Sequence, residues 1–532
     1  MAFKDNNMKQ SVFTYIMVLM TLAPVLLGGC EPREVIDDPD KKDTIPGIVD
    51  PVDSTLYIYP EEEDSTRWQS ARMERYRPQM HYTPSKFWVN DPNGLVYKDG
   101  VWHLYYQYNP IGNVWGNMSW GHATSTDLMH WEEQQVVLQR DGLGDIFSGS
   151  CIVDANNTAG FGAGAIIAMY TSAGASQQQS LAYSNDGGMT FTKYSGNPVI
   201  PDSRGNFRDP KVFWNKDTQC WTALLATGYD LSAEVWTSPN MKQWTRRSTL
   251  TSSLSYLQGK QWECPDLIKV DNKWVLILSV NPGGPIFGSG TLYMTGDFDG
   301  TTFTPDSYST QARWLDFGLD NYASVSWSNA PDGRNIVIGW MNNWAYAGNV
   351  PCSPWRSAFC LPRELHFKEV DGKPILTSYP VKEIETLAGP WMTCAVKQDT
   401  IARIGWPAAW EASVTIPTNT STTISFTNSL GQHFDYIYEA DRHRIKVMRN
   451  GDTGNVAFIN NFATSYAIPI SKSYEELELH FFIDQSSIEM FSSDGVYVST
   501  NLCFPKEMYH ILSVSSEVKE ARVRRFESIW NN

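Results

Sequence analysis

Five times between residues 95 and 341 the chain repeats one pattern, two apolar, aromatic-rich runs around a polar turn. The copies are LVYKDGVWHLYYQY (95–108), CIVDANNTAGFGAGAIIAMYT (151–171), KVFWNKDTQCWTALLAT (211–227), DLIKVDNKWVLILSV (266–280) and SVSWSNAPDGRNIVIGWM (324–341). Paired runs bounded by Asp, Asn and Gly are hairpin signals. Their starts lie 56, 60, 55 and 58 residues apart. In the gaps a polar turn precedes an aromatic four times, in ATSTDLMHW (123–131), AYSNDGGMTF (182–191), VWTSPNMKQW (235–244) and MTGDFDGTTF (294–303). One unit is therefore hairpin, strand, polar turn, strand. Five such units at a steady period predict a five-bladed β-propeller over 68–390. The repeat stops after Leu361-Pro-Arg-Glu-Leu365, and LELHFFID (477–484) then alternates as a strand does. No long helical period follows, so the expectation for 395–532 is a separate β-sandwich, making the chain all-β. A length of 532 residues accommodates two such domains.

The N-terminus reads differently. From Met8, MKQSVFTYIMVLMTLAPVLLGGC places an apolar run too short for a comfortable membrane span before small residues and Cys30. Leu27-Gly-Gly-Cys30 resembles a bacterial lipobox, which predicts a lipoprotein signal peptide over 1–30 with Cys30 as the lipidated residue. Residues 31–67, rich in Asp, Glu, Pro and Lys, read as a tether. The expected location is the bacterial cell envelope, with membrane contact only through the lipid anchor. A net charge of −16 offers no basic footprint and excludes nucleic-acid binding. The remaining seven cysteines are odd in number and form no Cys-x-x-Cys pair, so neither a disulfide framework nor a zinc site is expected. Cys352 and Cys360 could pair, and the others read as buried small hydrophobes. His81, His103 and His122 share no metal-ligand spacing, and no metal or other cofactor is expected.

In a propeller the innermost strand of each blade begins at the central channel, so residues just before each hairpin should line its mouth. Three of the five units put a carboxylate there: Asp91 in Trp-Val-Asn-Asp-Pro-Asn (88–93), Asp209 in Phe-Arg-Asp-Pro (207–210) and Glu263 in Trp-Glu-Cys-Pro-Asp (262–266). Facing acids resist ionising together, so one holds a proton near neutral pH. A protonated acid beside an ionised one is what glycoside cleavage needs. Aromatics are abundant, with 21 Trp, 25 Tyr and 23 Phe, and suit both pleated sheets and the flat faces of sugars. Trp88, Asn90, Gln107, Trp115 and Trp262 stand near the acids and are expected to stack on sugar or to recognise its hydroxyls.

At these residues the sequence resembles glycoside hydrolase family 32, the levanases, inulinases and invertases. Trp-Val-Asn-Asp-Pro-Asn-Gly, Phe-Arg-Asp-Pro and Trp-Glu-Cys-Pro match its three signature blocks. Gln107-Tyr-Asn-Pro110, Trp120-Gly-His122, Phe147-Ser-Gly-Ser150, Tyr322-Ala, Gly339-Trp-Met-Asn-Asn-Trp344 and Pro354-Trp-Arg356 match in order. The resemblance covers roughly 76–532. It implies a metal-free, retaining hydrolysis of β-fructofuranosidic bonds in levan, inulin or sucrose, with exo action releasing fructose. Asp91 would be the nucleophile, Glu263 the acid/base and Asp209 the transition-state stabiliser. Asn90, Gln107, Trp115, Phe147, Ser148, Arg208, Tyr322 and Trp344 would line the terminal fructose pocket. Asn321 stands where the family often has an aromatic, so Leu319–Tyr322 is expected to shape the pocket differently. An endo-acting enzyme of the same family and an inactive fructan-binding surface lipoprotein stay open as alternatives.

Overall fold

The computed structural model describes residues 56–58, 72–251, 260–306, 313–405, 409–449 and 462–530. Cys30 and the predicted signal peptide lie outside the described residues. Within the stretch read as a tether, Leu56–Ile58 forms a strand that pairs in parallel with Asp399–Ile404.

Five antiparallel sheets make a propeller. Their first strands are Phe87–Lys98, Asp145–Asp154, Arg208–Asn215, Gln261–Val270 and Tyr322–Ser326. Each first strand packs against the next, and the fifth against the first, so they form a closed ring around the channel. The ring is also joined along the chain, because Trp355–Arg356 pairs in parallel with Phe87 and Trp88 of the first blade. The second strands of the blades, such as Ala165–Ala173 and Cys220–Ala226, are buried almost throughout. Neighbouring blades cover both of their faces, which is why these strands read as continuous apolar runs.

Past the propeller, a seven-stranded and a six-stranded sheet form the sandwich. In the seven-stranded sheet Thr422–Thr427 and His433–Glu439 alternate strictly between buried and half-buried residues, as strands with one covered face do, whereas Ser487–Ser492 and Val498–Leu502 of the six-stranded sheet are buried throughout. Trp410, Phe426, Tyr436 and Phe481 fill the space between the sheets.

Charged residues tie the two parts together. Arg363, in the last propeller blade, reaches Asp316 at 2.8 Å and Thr500 Oγ1 of the sandwich at 2.6 Å, and also pairs with Glu489. His81 lies between Asp484 (2.7 Å) and Glu489 (3.0 Å), fully buried. Burial opposes its charge, but the hydrogen bonds to Asp484 and Glu489 outweigh burial and push its pKa up to about 9.

The first strands begin earlier than the hairpin pattern suggested, at Phe87 instead of 95 in the first blade. The reason is a bulge. In every blade the register against the second strand slips near its start: between Val89 and Pro92, Ile146 and Gly149, Arg208 and Lys211, Glu263 and Asp266, and Tyr322 and Val325, with a second slip in the first blade between Asn93 and Val96. Bulges re-aim side chains and interrupt the two-residue period by which a strand is recognised. Asp209, Cys264 and Ala323 take positive φ there, at 62°, 46° and 53°.

Candidate active site

Three of these bulges, in the first, third and fourth blades, place the predicted carboxylates inside their strands, not ahead of them, and turn them toward one another. Asp91 comes from the first blade. Its Oδ1 accepts from Asn90 Nδ2 at 3.0 Å and its Oδ2 from the Ser148 hydroxyl of the second blade at 2.7 Å. Asn90 is itself held by Trp88 Nε1 at 2.8 Å. Asp209, from the third blade, accepts from the Cys264 backbone N–H at 2.9 Å, and its own N–H donates to Thr171 Oγ1 at 3.0 Å. The Cys264 thiol lies between two acids, 3.6 Å from Asp91 Oδ2 and 3.7 Å from Asp209 Oδ2.

Glu263, from the fourth blade, is the most heavily bonded. Its Oε1 accepts from Arg208 Nη2 at 3.0 Å and Nε at 3.2 Å, and from Gln261 Nε2 at 2.9 Å. Its Oε2 accepts from the Tyr322 hydroxyl of the fifth blade. Arg208 is fixed in turn by Gln177 Oε1 at 2.9 Å and stands 3.9 Å from Asp209. Beneath this group the channel closes to a void of about 20 Å³. Lys211 plugs it, donating to Asp266 at 2.9 Å and to Ser326 O and Oγ at 2.8 Å each.

Three carboxylates and one guanidinium share little solvent. Burial pushes the Asp91 carboxyl up, the Ser148 hydrogen bond pulls it back, and the charge of Glu263 raises it again. For Asp209 burial is again the largest influence. Arg208 opposes it, Glu263 and Asp91 reinforce it, and the result is about 7. Burial and the three acids keep Cys264 a neutral thiol, pushed well above the usual range. Burial and the facing acids therefore favour the protonated form of Asp209 up to about neutral pH.

Comparison with known proteins decides what this arrangement belongs to. The model for the glycosyl hydrolases family 32 N-terminal domain matches residues 81–380, and that for the family 32 C terminal matches 393–530. The chain belongs to glycoside hydrolase family 32. It is 39% identical over 485 residues to a levanase of Bacillus subtilis (strain 168), spanning 86% of this chain and 71% of that one. It is 36% identical to an extracellular exo-inulinase of Aspergillus niger, spanning 86% and 95%. Among solved structures, exo-inulinase from Aspergillus awamori superposes with a TM-score of 0.81 at 34% identity, covering 86% of this chain and 100% of that one. A β-fructofuranosidase from Schwanniomyces occidentalis, complexed with fructosyl-erythritol, gives 0.78 at 31% identity, covering 86% and 99%.

Within this family 32 site, the structure gathers most of the predicted pocket residues and sorts them into layers. Asn90, Ser148, Arg208 and Tyr322 bond the carboxylates directly. Trp344 is half-buried and stacks on Trp88 with ring centroids 6.0 Å apart. Phe147 is half-buried and meets the edge of Trp115 at 6.1 Å. Trp115 itself is 49% exposed, and Ile111 and Val114 of the same segment are exposed apolar residues too. Gln107 is buried and donates to the Ile146 carbonyl at 3.0 Å, supporting the second-blade bulge from below.

Trp262 is a correction. It is fully buried among Leu224, Val235, Leu276 and Leu292, in the core between blades three and four. Adjacent residues on a strand point to opposite faces, so with Glu263 in the channel Trp262 must point away from it. The same rule locates a residue the sequence reading missed, since Gln261 lies two positions from Glu263 and bonds it. Gln177 and Thr171 were also missed, and they reach the site from a neighbouring blade with no local signal. Cys352 and Cys360 do not pair; all seven described cysteines are free, and all but Cys220 are buried.

Proposed function

We propose that this protein is a retaining β-fructofuranosidase that removes terminal fructosyl units from levan or inulin. The observation that carries the reading is the convergence of Asp91, Asp209 and Glu263 on three bulged strands, each carboxylate already oriented by fixed donors. Asp91 is the nucleophile: its oxygen attacks the anomeric carbon while Glu263 gives its proton to the departing glycosidic oxygen. A covalent fructosyl ester on Asp91 results. Glu263 then takes a proton from water, which attacks the same carbon and frees Asp91. Asp209 and Arg208 hold fructose hydroxyls. Those hydroxyls donate to Asp209 and favour its anion. Exo action is supported by relatives named exo-inulinase and by the exposed Trp115, whose ring meets Phe147 next to Ser148. Lipidation at Cys30 would hold this activity at the cell envelope, and Cys30→Ser should release it into the soluble fraction.

The test is incubation of purified protein with levan, inulin and sucrose, with products followed by chromatography. Fructose as the first product, lost in Glu263→Ala and Asp91→Asn, supports the reading. Oligosaccharides as first products overturn exo action. No product from any of the three overturns the activity.

A further inference from the structure

We infer that the sandwich aims the acid/base: the buried Arg449–Asp320 pair is a positioning device that sets Tyr322, and through it Glu263. The inference rests on the function proposed above. Tyr322 is the one described side chain that bonds Glu263 Oε2, whereas Oε1 has three donors from Arg208 and Gln261. The orientation of the acid's second oxygen therefore depends on where Tyr322 stands.

Its own blade packs the Tyr322 ring edge-on against Trp340, with centroids 6.3 Å apart. Its backbone opens the fifth first strand, pairs with Trp340, and is followed at once by the bulge with Ala323 at φ 53°. On the other side the chain is held by the sandwich. The Asp320 N–H donates to Thr500 O at 3.1 Å. Asp320 Oδ2 accepts from the Leu502 N–H at 2.8 Å and from Arg449 Nη1 at 2.5 Å. Oδ1 accepts from the Tyr346 hydroxyl, which in turn accepts from Arg449 Nη2 at 2.9 Å. Arg449 is fixed by Phe462 O at 2.9 Å and lies 3.9 Å over the Phe462 ring. Immediately upstream, Asn343 Nδ2 holds the Leu319 carbonyl at 2.7 Å.

Both members of the pair have no side-chain exposure. Buried ion pairs give up solvation, and apolar replacements of similar volume often stabilise a fold as well or better. What an apolar pair cannot supply is a fixed direction for the backbone two residues before Tyr322. The sandwich thus contributes to the chemistry without touching substrate.

The experiment uses the full chain and two substrates. Arg449→Met, Asp320→Asn and Tyr346→Phe are compared with wild type on the better fructan and on 4-nitrophenyl β-fructofuranoside. The nitrophenolate leaves without a proton, so forming the ester on Asp91 needs no acid. Hydrolysing that ester still needs Glu263 as base, unless azide attacks the anomeric carbon in place of water and releases fructosyl azide. The expected result is a 10–100-fold loss of kcat on fructan with KM within threefold. The nitrophenolate burst should keep its wild-type rate and size, and azide should restore the steady state that follows. Arg449→Lys should recover part of the loss. Equal loss of the burst and of fructan hydrolysis would make the pair merely structural, and unchanged fructan turnover would also overturn the inference. Tyr346→Phe removes one hydroxyl and keeps the test alive if the other variants do not fold. Wild type inactive on both substrates would remove the proposed function, not this relationship.

Discussion

The Ser148 hydroxyl donates to Asp91 Oδ2 at 2.7 Å, so the second blade orients a carboxylate supplied by the first. That bond favours the anion against the burial that raises its pKa. Ser148→Ala should lower kcat about tenfold, the scale of a hydrogen bond to a charged group. It should also move the acid limb of the kcat/KM profile to higher pH. A pH series on either fructan checks both, and an unmoved acid limb would show that Asp91 does not depend on Ser148.

Asp209 makes a prediction about stability. Its pKa rises from 3.8 to about 7 on folding, so between those values the native state binds more protons than the unfolded chain. Stability conferred by this group is then lost as pH climbs, and above 7 its buried charge works against the fold. Asp209→Asn should be inactive yet more stable than wild type at pH 8, by about 2–4 kcal/mol, and the gain should vanish below pH 4. Thermal melts at pH 4 and 8 decide it.

His81 pulls in the same direction at higher pH, although here the protonated form is the charged one. Its pKa is raised from 6.5 to about 9 by Asp484 and Glu489, so its stabilising effect is complete below 6.5 and fades as pH passes 9. Up to ~3 kcal/mol is at stake, discounted by whatever the buried acids recover on their own. Wild type should lose melting temperature between pH 7 and 10, and His81→Gln should melt lower at pH 6 with a flatter profile.

Two tryptophans near the site should separate cleanly. Trp262→Ala leaves a cavity in the core between blades and should cost about 3–5 kcal/mol of stability. Trp115→Ala, at a side chain 49% exposed, should leave the melting temperature within a degree or two while raising KM for polymeric substrate several-fold. Denaturation and steady-state kinetics on the same two variants test the contrast.

Sequence reading reached far here because a propeller writes itself five times. Each blade needs the same hairpin with both faces covered, and that requirement leaves a period visible without any alignment. The carboxylates were legible because they recur at one phase of that period. What obscured the strand starts was the bulge, which breaks alternation at the very residues that matter. Trp262 was misplaced by proximity, when parity with Glu263 would have turned it inward and brought Gln261 forward. Gln177 and Thr171 had no signal at all, since only the ring brings the second blade against the third. The Arg449–Asp320 pair was hidden for a similar reason: its partners are distant in sequence and meet only when the sandwich docks.

The parallel contact of Trp355–Arg356 with Phe87 and Trp88 has a bearing on how the protein comes into being. Asp91 emerges from the ribosome early, yet the strand that locks its blade into the ring is made after all three acids, and Arg449 later still. A nascent chain holding every carboxylate is therefore expected to be catalytically silent. Enzyme activity should return on refolding only with the last cooperative step, which makes turnover itself a clock for the completion of the fold.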